Sequence, residues 1–287
     1  MGRRLVRAMF ERTVLSPAKV NLYLKVVGKR PDGYHDLVSV VDIISLCDVL
    51  HLRQAEGGRV SVRDDRGLLA DGPANTVYRA IMLLKERYGN LDGLAVDVEK
   101  RIPVGSGLGG GSGNAATVMK ELVSAWGISV RPEELAELGK GVGSDVPLFL
   151  YGKSCIMRGV GERITPVALP KMWYVVVYPG VAISTAAVYS GLRIYLTKNE
   201  NDVTVSGNFS QITDVADMLE NDLEEVAISI CPEIKPIKER LLEAGALGSL
   251  MSGSGSAVFG IFENEGAAQK ALEKLGGLGS VFIAHSL

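Results

Sequence analysis

Cysteine is scarce in this chain: three residues in 287. Cys47, Cys155 and Cys231 lie far apart and none belongs to a CxxC pair, which argues against a disulfide framework and against a structural zinc site. Long apolar runs are missing too. Nothing approaches the roughly 20 residues that span a bilayer, and the longest candidate, Trp173 to Tyr178, is broken at once by Pro179 and Gly180. Excess charge of either sign is also absent. The formal net charge is -2, which gives no support for a protein built around nucleic-acid phosphates. A local basic pocket for a small anionic substrate does not show in such a sum and stays open. Low-complexity tracts and repeats of fixed period are lacking as well. The start carries Arg3, Arg4, Arg7 and Arg12, but no apolar signal core follows. It reads as a short extension, with Met9 an alternative start. The expected location is the cytoplasm, with neither a membrane nor a nucleic acid as partner.

What is present fits an ordinary folded enzyme. Hydrophobic residues make up 47% and charged residues 22%, so the whole length can pack as one large domain or two ordinary ones. The first third is strand-rich. Val20 to Val27 and Val38 to Ile44 are apolar, β-branched runs, and Val49 to Val62 reads as a hairpin turned at Glu56-Gly57-Gly58. A helix follows from Ala74 or Asn75, with Asn75 a possible cap and Val77, Ile81 and Leu84 on one face. Leu94 to Glu99 alternates as a strand, Asn114 to Trp126 is helical, and Pro132 opens a short helix with Glu133 and Glu134 in its first turn. Beyond about residue 165 strands and helices alternate. Strands are predicted at Trp173 to Tyr178, Val258 to Phe262 and Val281 to Ala284. Helices are predicted at Thr185 to Leu192, Ile212 to Ile230, Pro232 to Glu243 and Gly266 to Leu275. The pattern predicts two abutting α+β domains with the site between them.

One segment carries the clearest chemistry. Gly105-Ser-Gly-Leu-Gly-Gly-Gly-Ser-Gly113 holds six glycines in nine residues between a predicted strand and a predicted helix. With so few side chains, backbone N–H groups can converge on an anion while the helix offers its positive end. A plain tight turn would not need so many. A Walker A loop is excluded because no lysine follows these glycines, and in Gly152-Lys153-Ser154 the leading glycine is replaced by Pro147. Gly105, Gly107 and Gly110 satisfy GxGxxG, but about a hundred residues of other structure precede them and no acidic residue ends a following strand, so the dinucleotide-binding reading is weak.

The better match is to the GHMP kinases. Pro103-Val-Gly-Ser-Gly-Leu-Gly-Gly-Gly-Ser112 resembles the second motif of that superfamily, Ser16-Pro-Ala-Lys19-Val-Asn21 the first, and Met251-Ser-Gly-Ser-Gly255-Ser the third. Arg30-Pro-Asp-Gly33-Tyr34-His35-Asp36-Leu37, the mid-chain Gly143-Ser-Asp145-Val-Pro147, and the longer GLGGGSGNAAT resemble the branch that phosphorylates a cytidine-diphosphate-linked methylerythritol. The motifs are spaced across nearly the whole chain, and their order is what makes the likeness specific.

The resemblance implies an α+β, two-domain GHMP kinase fold. Residues 1–164 would form a ribosomal-protein-S5-domain-2-like ATP-binding domain, and residues 165–287 a ferredoxin-like α/β-plait domain on the substrate side. It implies ATP with Mg²⁺, the Mg²⁺ ligands being unknown, a small-molecule substrate, and a monomer or weak homodimer. Asp145 is implied as the group that orients and deprotonates the acceptor hydroxyl, though an Asp at such a turn is also a common cap. Lys19, otherwise read as a solvated edge residue, is placed beside Asp145 to hold it ionised and to stabilise transferred charge. Asn21, on the same strand face as Lys19, would bond the substrate or fix the lysine.

Pro103, Val104, Gly105, Ser106, Gly107, Leu108, Gly109, Gly110, Gly111, Ser112, Gly113 and Asn114, with Lys100 and Asn75, are implied on the nucleotide side, with Asn114 alternatively a cap. Tyr34 and His35 are implied as a cytidine pocket; Thr185 and Tyr189, at i and i+4 on one helical face, supply a polar contact and a ring opposing Tyr34. The plainer reading of Tyr189 is core packing. The Ser252-to-Ser256 loop is expected to close over the diphosphate or to pack against Lys19. Two positions depart from the family pattern: Gly113 stands where a second serine is more usual, and Tyr189 where phenylalanine is. The rivals are a GHMP kinase for mevalonate, homoserine or a sugar, a non-catalytic nucleotide binder on the same scaffold, and a dinucleotide-dependent oxidoreductase.

Overall fold

Two very long strands set the frame of the protein. β1 (Glu11–Lys29) and β2 (His35–Ala55) run antiparallel from Glu11↔Arg53 to Lys29↔His35, with register shifts at Pro17/Ala18, Asn21/Tyr23 and Val26/Gly28. The computed structural model describes residues 10–89, 93–192, 203, 205 and 209–287. Arg3, Arg4, Arg7 and Met9 lie outside the described residues. β2 reads as a nearly continuous apolar run because it is buried on both faces. Val41 and Ile43 pack toward the helices of the first half, while Val40 and Ile44 pack toward the second sheet.

β3 (Val60–Asp64) and β4 (Gly93–Glu99) flank α1 (Thr76–Tyr88) in sequence, and the two strands pair in parallel. Asn75 caps α1 by accepting from the amides of Val77 and Tyr78. α2 (Gly110–Ala125), α3 (Pro132–Lys140) and α4 (Val146–Tyr151) follow, then β5 (Cys155–Gly159) and β6 (Arg163–Pro166). The first sheet runs β3-β4-β2-β1-β8, where β8 is the short strand Glu220–Asn221 from the second half, with β5 and β6 added along β2. The core beneath it joins Leu50, Leu52, Leu94 and Val96 to Ile81, Leu84, Met119 and Leu122 of α1 and α2.

The second half contains β7 (Trp173–Tyr178), α5 (Thr185–Gly191), α6 (Ile212–Asp217), β8 (Glu220–Asn221), α7 (Glu224–Ile230), α8 (Ile234–Glu243), β9 (Gly248–Met251), β10 (Val258–Phe262), α9 (Glu265–Lys274) and β11 (Ser280–His285). Its sheet runs β11-β7-β10-β9, all antiparallel. Numbered within the sheet this order is 4-1-3-2, and with helices between β7 and β9 and between β10 and β11 it is a ferredoxin-like β-α-β-β-α-β unit. Tyr174, Val176 and Phe259 pack against the β2 side, while Val175, Val177 and Val258 pack against α8 and α9. Among the described residues, no helix is long and apolar enough to cross a membrane.

Two sequence expectations fail. The turn at Glu56–Gly58 exists, but β2 and β3 do not form a hairpin: β4 lies between them, antiparallel to β2 and parallel to β3. The predicted helix from Ile212 to Ile230 is broken into α6 and α7 by β8, which pairs in parallel with Tyr23 and Leu24 of β1. A site contact explains the break. The Asn221 side chain donates to the carbonyls of Met251 and Gly253, and its oxygen accepts from the Leu223 amide. α4, β5, β6 and β9 had no sequence expectation.

Candidate active site

Lys19 and Asn21 project from the same face of β1, two residues apart, and both are buried. Asn21 Oδ1 accepts a hydrogen bond from Lys19 Nζ, and Asn21 Nδ2 donates to Ser39 Oγ at 2.9 Å. Asp145 sits in the turn before α4, where its side chain makes no capping hydrogen bond. Its carboxylate instead lies 3.8 Å from Lys19 Nζ, with a third of the side chain exposed. Burial pushes the Lys19 ammonium below the ordinary lysine value, and the charge of Asp145 opposes that fall. A buried lysine with an open carboxylate at its tip is thus the centre of the site, and the solvated-edge reading of Lys19 is excluded.

The glycine-rich segment connects β4 to α2 and passes directly over this pair. The Lys19 amide donates to the Leu108 carbonyl at 3.0 Å, joining strand to loop. Gly105, Gly107 and Gly109 adopt left-handed φ values of 66°, 81° and 73°. A Cβ at Gly107 would fall on the Ser252 carbonyl, so the close approach of two loops demands glycine there. Gly109 occupies the N-cap of α2 without a side chain to bond the first-turn amides, which leaves them for an anion. Gly113 is a glycine for a packing reason: a Cβ would meet the Pro17 carbonyl at 2.7 Å, where α2 crosses β1.

The C-terminal Gly-Ser loop closes the other wall. Ser252 Oγ accepts from the Asn21 amide at 3.3 Å and donates to the Gly107 carbonyl at 3.1 Å. Gly253 lies against Lys19 Nζ and Asn21 Oδ1, and Ser254 Oγ is 2.8 Å from Thr185 Oγ1. Of the two expectations for this loop, packing against Lys19 is the one observed.

These walls enclose a cavity of about 740 Å³, within the range of small-molecule sites. Pro103 to Gly107, Gly109 to Ser112, Lys19, Asn21, Tyr34, His35, Lys100, Asp145, Thr185 and Tyr189 all line it. Four expected residues do not. Leu108 is fully buried, and Gly113 faces β1. Asn75 is committed to capping α1 and to the Ala70 carbonyl. Asn114 lies inside α2 rather than at its start, and donates to Asp48 at 2.9 Å. Asn114 thus ties α2 to Asp48 behind the glycine-rich loop.

His35, not Tyr34, stacks on Tyr189, with ring centroids 5.1 Å apart and planes inclined by 30°. Tyr34 stands at the rim, 61% exposed. Burial, and after it the charge of Lys29, hold the His35 pKa below its ordinary value, favouring the neutral ring. Burial, with Asp145 nearby, pushes the Tyr189 hydroxyl up to about 12.

Sequence reading missed Asp48, Ser39 and Asn221. Asp48 is fully buried; one oxygen accepts from the Arg101 and Ile102 amides, both at 2.8 Å, and the other from Lys100 Nζ at 2.7 Å and from Asn114. Lys100 also donates to the Ile102 carbonyl, so Asp48 anchors the entrance of the glycine-rich loop. The available signal was a carboxylate inside the apolar run Cys47-Asp48-Val49-Leu50. Among the described residues, no group of three or more His, Cys, Asp or Glu side chains could hold a metal ion.

Comparison with known proteins identifies the family and the fold. The model of the GHMP kinases N terminal domain matches residues 75–153, and that of the GHMP kinases C terminal region matches residues 207–280. A 4-diphosphocytidyl-2-C-methyl-D-erythritol kinase of Geobacter metallireducens is 43% identical over 264 residues, which is 92% of this chain and 93% of that protein. One from Geobacter sp. (strain M21) is 41% identical over 263 residues, 91% of this chain and 93% of its own length. A crystal structure of 4-(cytidine 5'-diphospho)-2C-methyl-D-erythritol kinase superposes with a TM-score of 0.78 at 36% identity, covering 96% of this chain and 98% of that one. Homoserine kinase from Cytophaga hutchinsonii, at 19% identity and a TM-score of 0.70 over 100% of this chain and 97% of its own, shares the fold.

Proposed function

The chain belongs to the GHMP kinases, in the group of the 4-diphosphocytidyl-2-C-methyl-D-erythritol kinases, and from that premise we propose how its cavity works. It is a small-molecule kinase of the non-mevalonate route to isoprenoid precursors. ATP gives its γ-phosphate to the 2-hydroxyl of 4-diphosphocytidyl-2-C-methyl-D-erythritol, leaving ADP and the 2-phosphate. The observation that carries the residue assignment is the Lys19–Asp145 pair, 3.8 Å apart, under the glycine-rich loop.

Asp145 orients the acceptor hydroxyl and takes its proton as the new O–P bond forms. Its carboxylate is free to do so because no helix amide engages it. Lys19 keeps Asp145 ionised and sets positive charge against the moving phosphoryl group. The open amides at the start of α2 and the left-handed glycines receive the triphosphate. Tyr189 and His35 form the base-binding wall, with Tyr34 at its rim and Thr185 as polar contact.

The donor set fits Mg²⁺ held mostly by phosphates and water, since among the described residues the cavity offers one carboxylate, Asp145, with neutral hydroxyls such as those of Ser112 and Ser144, rather than an all-protein cage. When bound, the ion would neutralise charge between the β- and γ-phosphates.

The reading keeps two domains, supported by the two sheets, but β6 (Arg163–Pro166) carries the first sheet across the expected boundary at 164/165, and β8 is the strand that crosses back. It also keeps a cytoplasmic location, a monomer or weak homodimer, no membrane partner and no nucleic-acid partner, the last supported by the near-neutral charge.

The test is ADP release with Mg-ATP, comparing the cytidine compound with mevalonate and homoserine. Selective turnover of the cytidine compound, reduced about 10²–10⁴-fold in Asp145→Asn, is expected. An undiminished rate in that variant would overturn the assignment of Asp145, and preference for another alcohol would overturn the pocket.

A further inference from the structure

We infer that Ser39 is a positioning residue for phosphoryl transfer: its hydroxyl fixes the orientation of the Asn21 carboxamide, and the carboxamide holds the Lys19 ammonium beside Asp145. The inference rests on the assignment of Lys19 and Asp145 made above. Ser39 lies on β2, outside every motif of the sequence, and is 1% exposed. It pairs with Leu24, and a slip in register between Asn21 and Tyr23 leaves one extra residue on β1 at this point.

The argument turns on a single hydrogen. A serine hydroxyl donates once and accepts through two lone pairs. Ser39 donates to the Tyr23 carbonyl at 2.6 Å. Toward Asn21 Nδ2, 2.9 Å away, it can therefore only accept. Asn21 must present its NH₂ to Ser39, which turns Oδ1 to Lys19 Nζ. The opposite flip would set acceptor against acceptor at Ser39 and donor against donor at Lys19, among side chains that are all buried.

Lys19 needs this help. Its contact with Asp145, at 3.8 Å, is an ion pair longer than a hydrogen bond. Asn21 is therefore the group that locates the ammonium, and Asp145 keeps its oxygens for the acceptor hydroxyl. Removing the Ser39 hydroxyl frees the carboxamide to flip and lets the lysine wander, without touching the nucleotide wall.

Steady-state kinetics of the full-length chain with Mg-ATP and the cytidine compound test this, in Ser39→Ala, Ser39→Thr, Asn21→Ala, the Ser39→Ala/Asn21→Ala double variant and Asp145→Asn. We expect kcat to fall about tenfold in Ser39→Ala, equal to ~1.4 kcal/mol, with KM for ATP unchanged within about twofold. Ser39→Thr, which keeps the hydroxyl, should restore most of the rate. In the Asn21→Ala background Ser39→Ala should cost nothing further. If Ser39→Ala fails to fold, Ser39→Val against Ser39→Thr gives the same comparison at equal shape. An unchanged kcat in Ser39→Ala beside an inactive Asp145→Asn overturns the inference alone. So does an equal loss in both backgrounds, which would mean Ser39 does not act through Asn21. Full activity in Asp145→Asn overturns the underlying assignment and the inference with it.

Discussion

Replacing Asp48 by asparagine keeps the shape of a fully buried side chain and removes its charge. The retained oxygen can still accept from the Arg101 and Ile102 amides, but the new NH₂ would face two donors, Lys100 Nζ and Asn114 Nδ2. Lys100 is 3% exposed, so its ammonium would lose its counter-charge without gaining water. Breaking a buried pair in this way costs about 3–5 kcal/mol, against ~1 kcal/mol or less for an exposed one. The lysine can escape by shedding its proton, and holding an ordinary lysine neutral at pH 7 costs about 4–5 kcal/mol. The two routes converge, so a loss of about 4 kcal/mol is expected. Lys100→Met in the same chain should recover about 2 kcal/mol or more of it, because the orphaned charge is then gone.

The pH dependence has a definite sign. Burial already holds the Lys100 pKa below its ordinary value, with Asp48 opposing, so the unfolded chain binds the proton more readily and stability rises with pH. Removing Asp48 lowers that pKa further; the deficit should be full at pH 7 and shrink as pH climbs toward the unfolded value. Urea unfolding followed by tryptophan fluorescence measures it, with Trp126 after α2 and Trp173 on β7 reporting from the two sheets. A loss under about 1 kcal/mol, or a double variant worse than Asp48→Asn, would refute the reasoning.

Burial lowers the Lys19 pKa, and the protonated form is the working one, so the alkaline limb of kcat/KM should fall below the ordinary lysine value; Lys19→Arg should remove that limb from the pH–rate profile whatever its residual activity. Tyr189→Ala should raise KM for the cytidine compound about 5- to 150-fold, the equivalent of one lost base stack of about 1–3 kcal/mol, while Tyr189→Phe stays within about twofold. With its hydroxyl near 12, Tyr189 should add no ionisation to the rate profile below pH 9. Gly107→Ala should cost about 2–3 kcal/mol by thermal or urea unfolding and weaken ATP binding measured by calorimetry, because φ of 81° is strained for alanine and its Cβ would displace the Ser252 carbonyl; a fully stable variant with normal ATP affinity would contradict the close approach of the two loops.

Much of the local structure was legible. Asn75 sits where a cap belongs, Pro132 opens α3, and glycines crowd the strand-to-helix turn, each because the backbone there needs that residue's own chemistry. Strand lengths were not legible. β1 and β2 were read as short apolar runs that stop short of Ser16, Lys19 and Asp48, yet these polar residues, like Asn21 and Asp42 within the runs, are buried where the strands pass the site and the interface between the sheets. Asp42 shows how. Three hydroxyls, of Ser154, Tyr174 and Ser286, donate to it from three distant segments, while burial raises its pKa. Strand pairing failed for a related reason: the Glu56–Gly58 turn is local, but the insertion of β4 between β2 and β3 is decided by which edges the α1 crossover brings together.

From the amino-acid sequence alone came the expectation of a phosphate loop between a strand and a helix, and of two α+β units along the chain. Both rest on features whose physics is local, glycine's freedom, a helix's positive end and the period of the apolar pattern, whereas the joining of Lys19 to Asp145 across more than a hundred residues came from the family resemblance. Only the tertiary structure decided which polar residues touch the cavity and which support it from behind. Asn75 caps α1, Asn114 bonds Asp48 behind the loop, His35 lies against Tyr189, and Asp48, Ser39 and Asn221 emerged as partners. The reason is that a buried donor or acceptor is defined by the group that satisfies it, and that group comes from a different strand or loop, at a distance in sequence that no local pattern records.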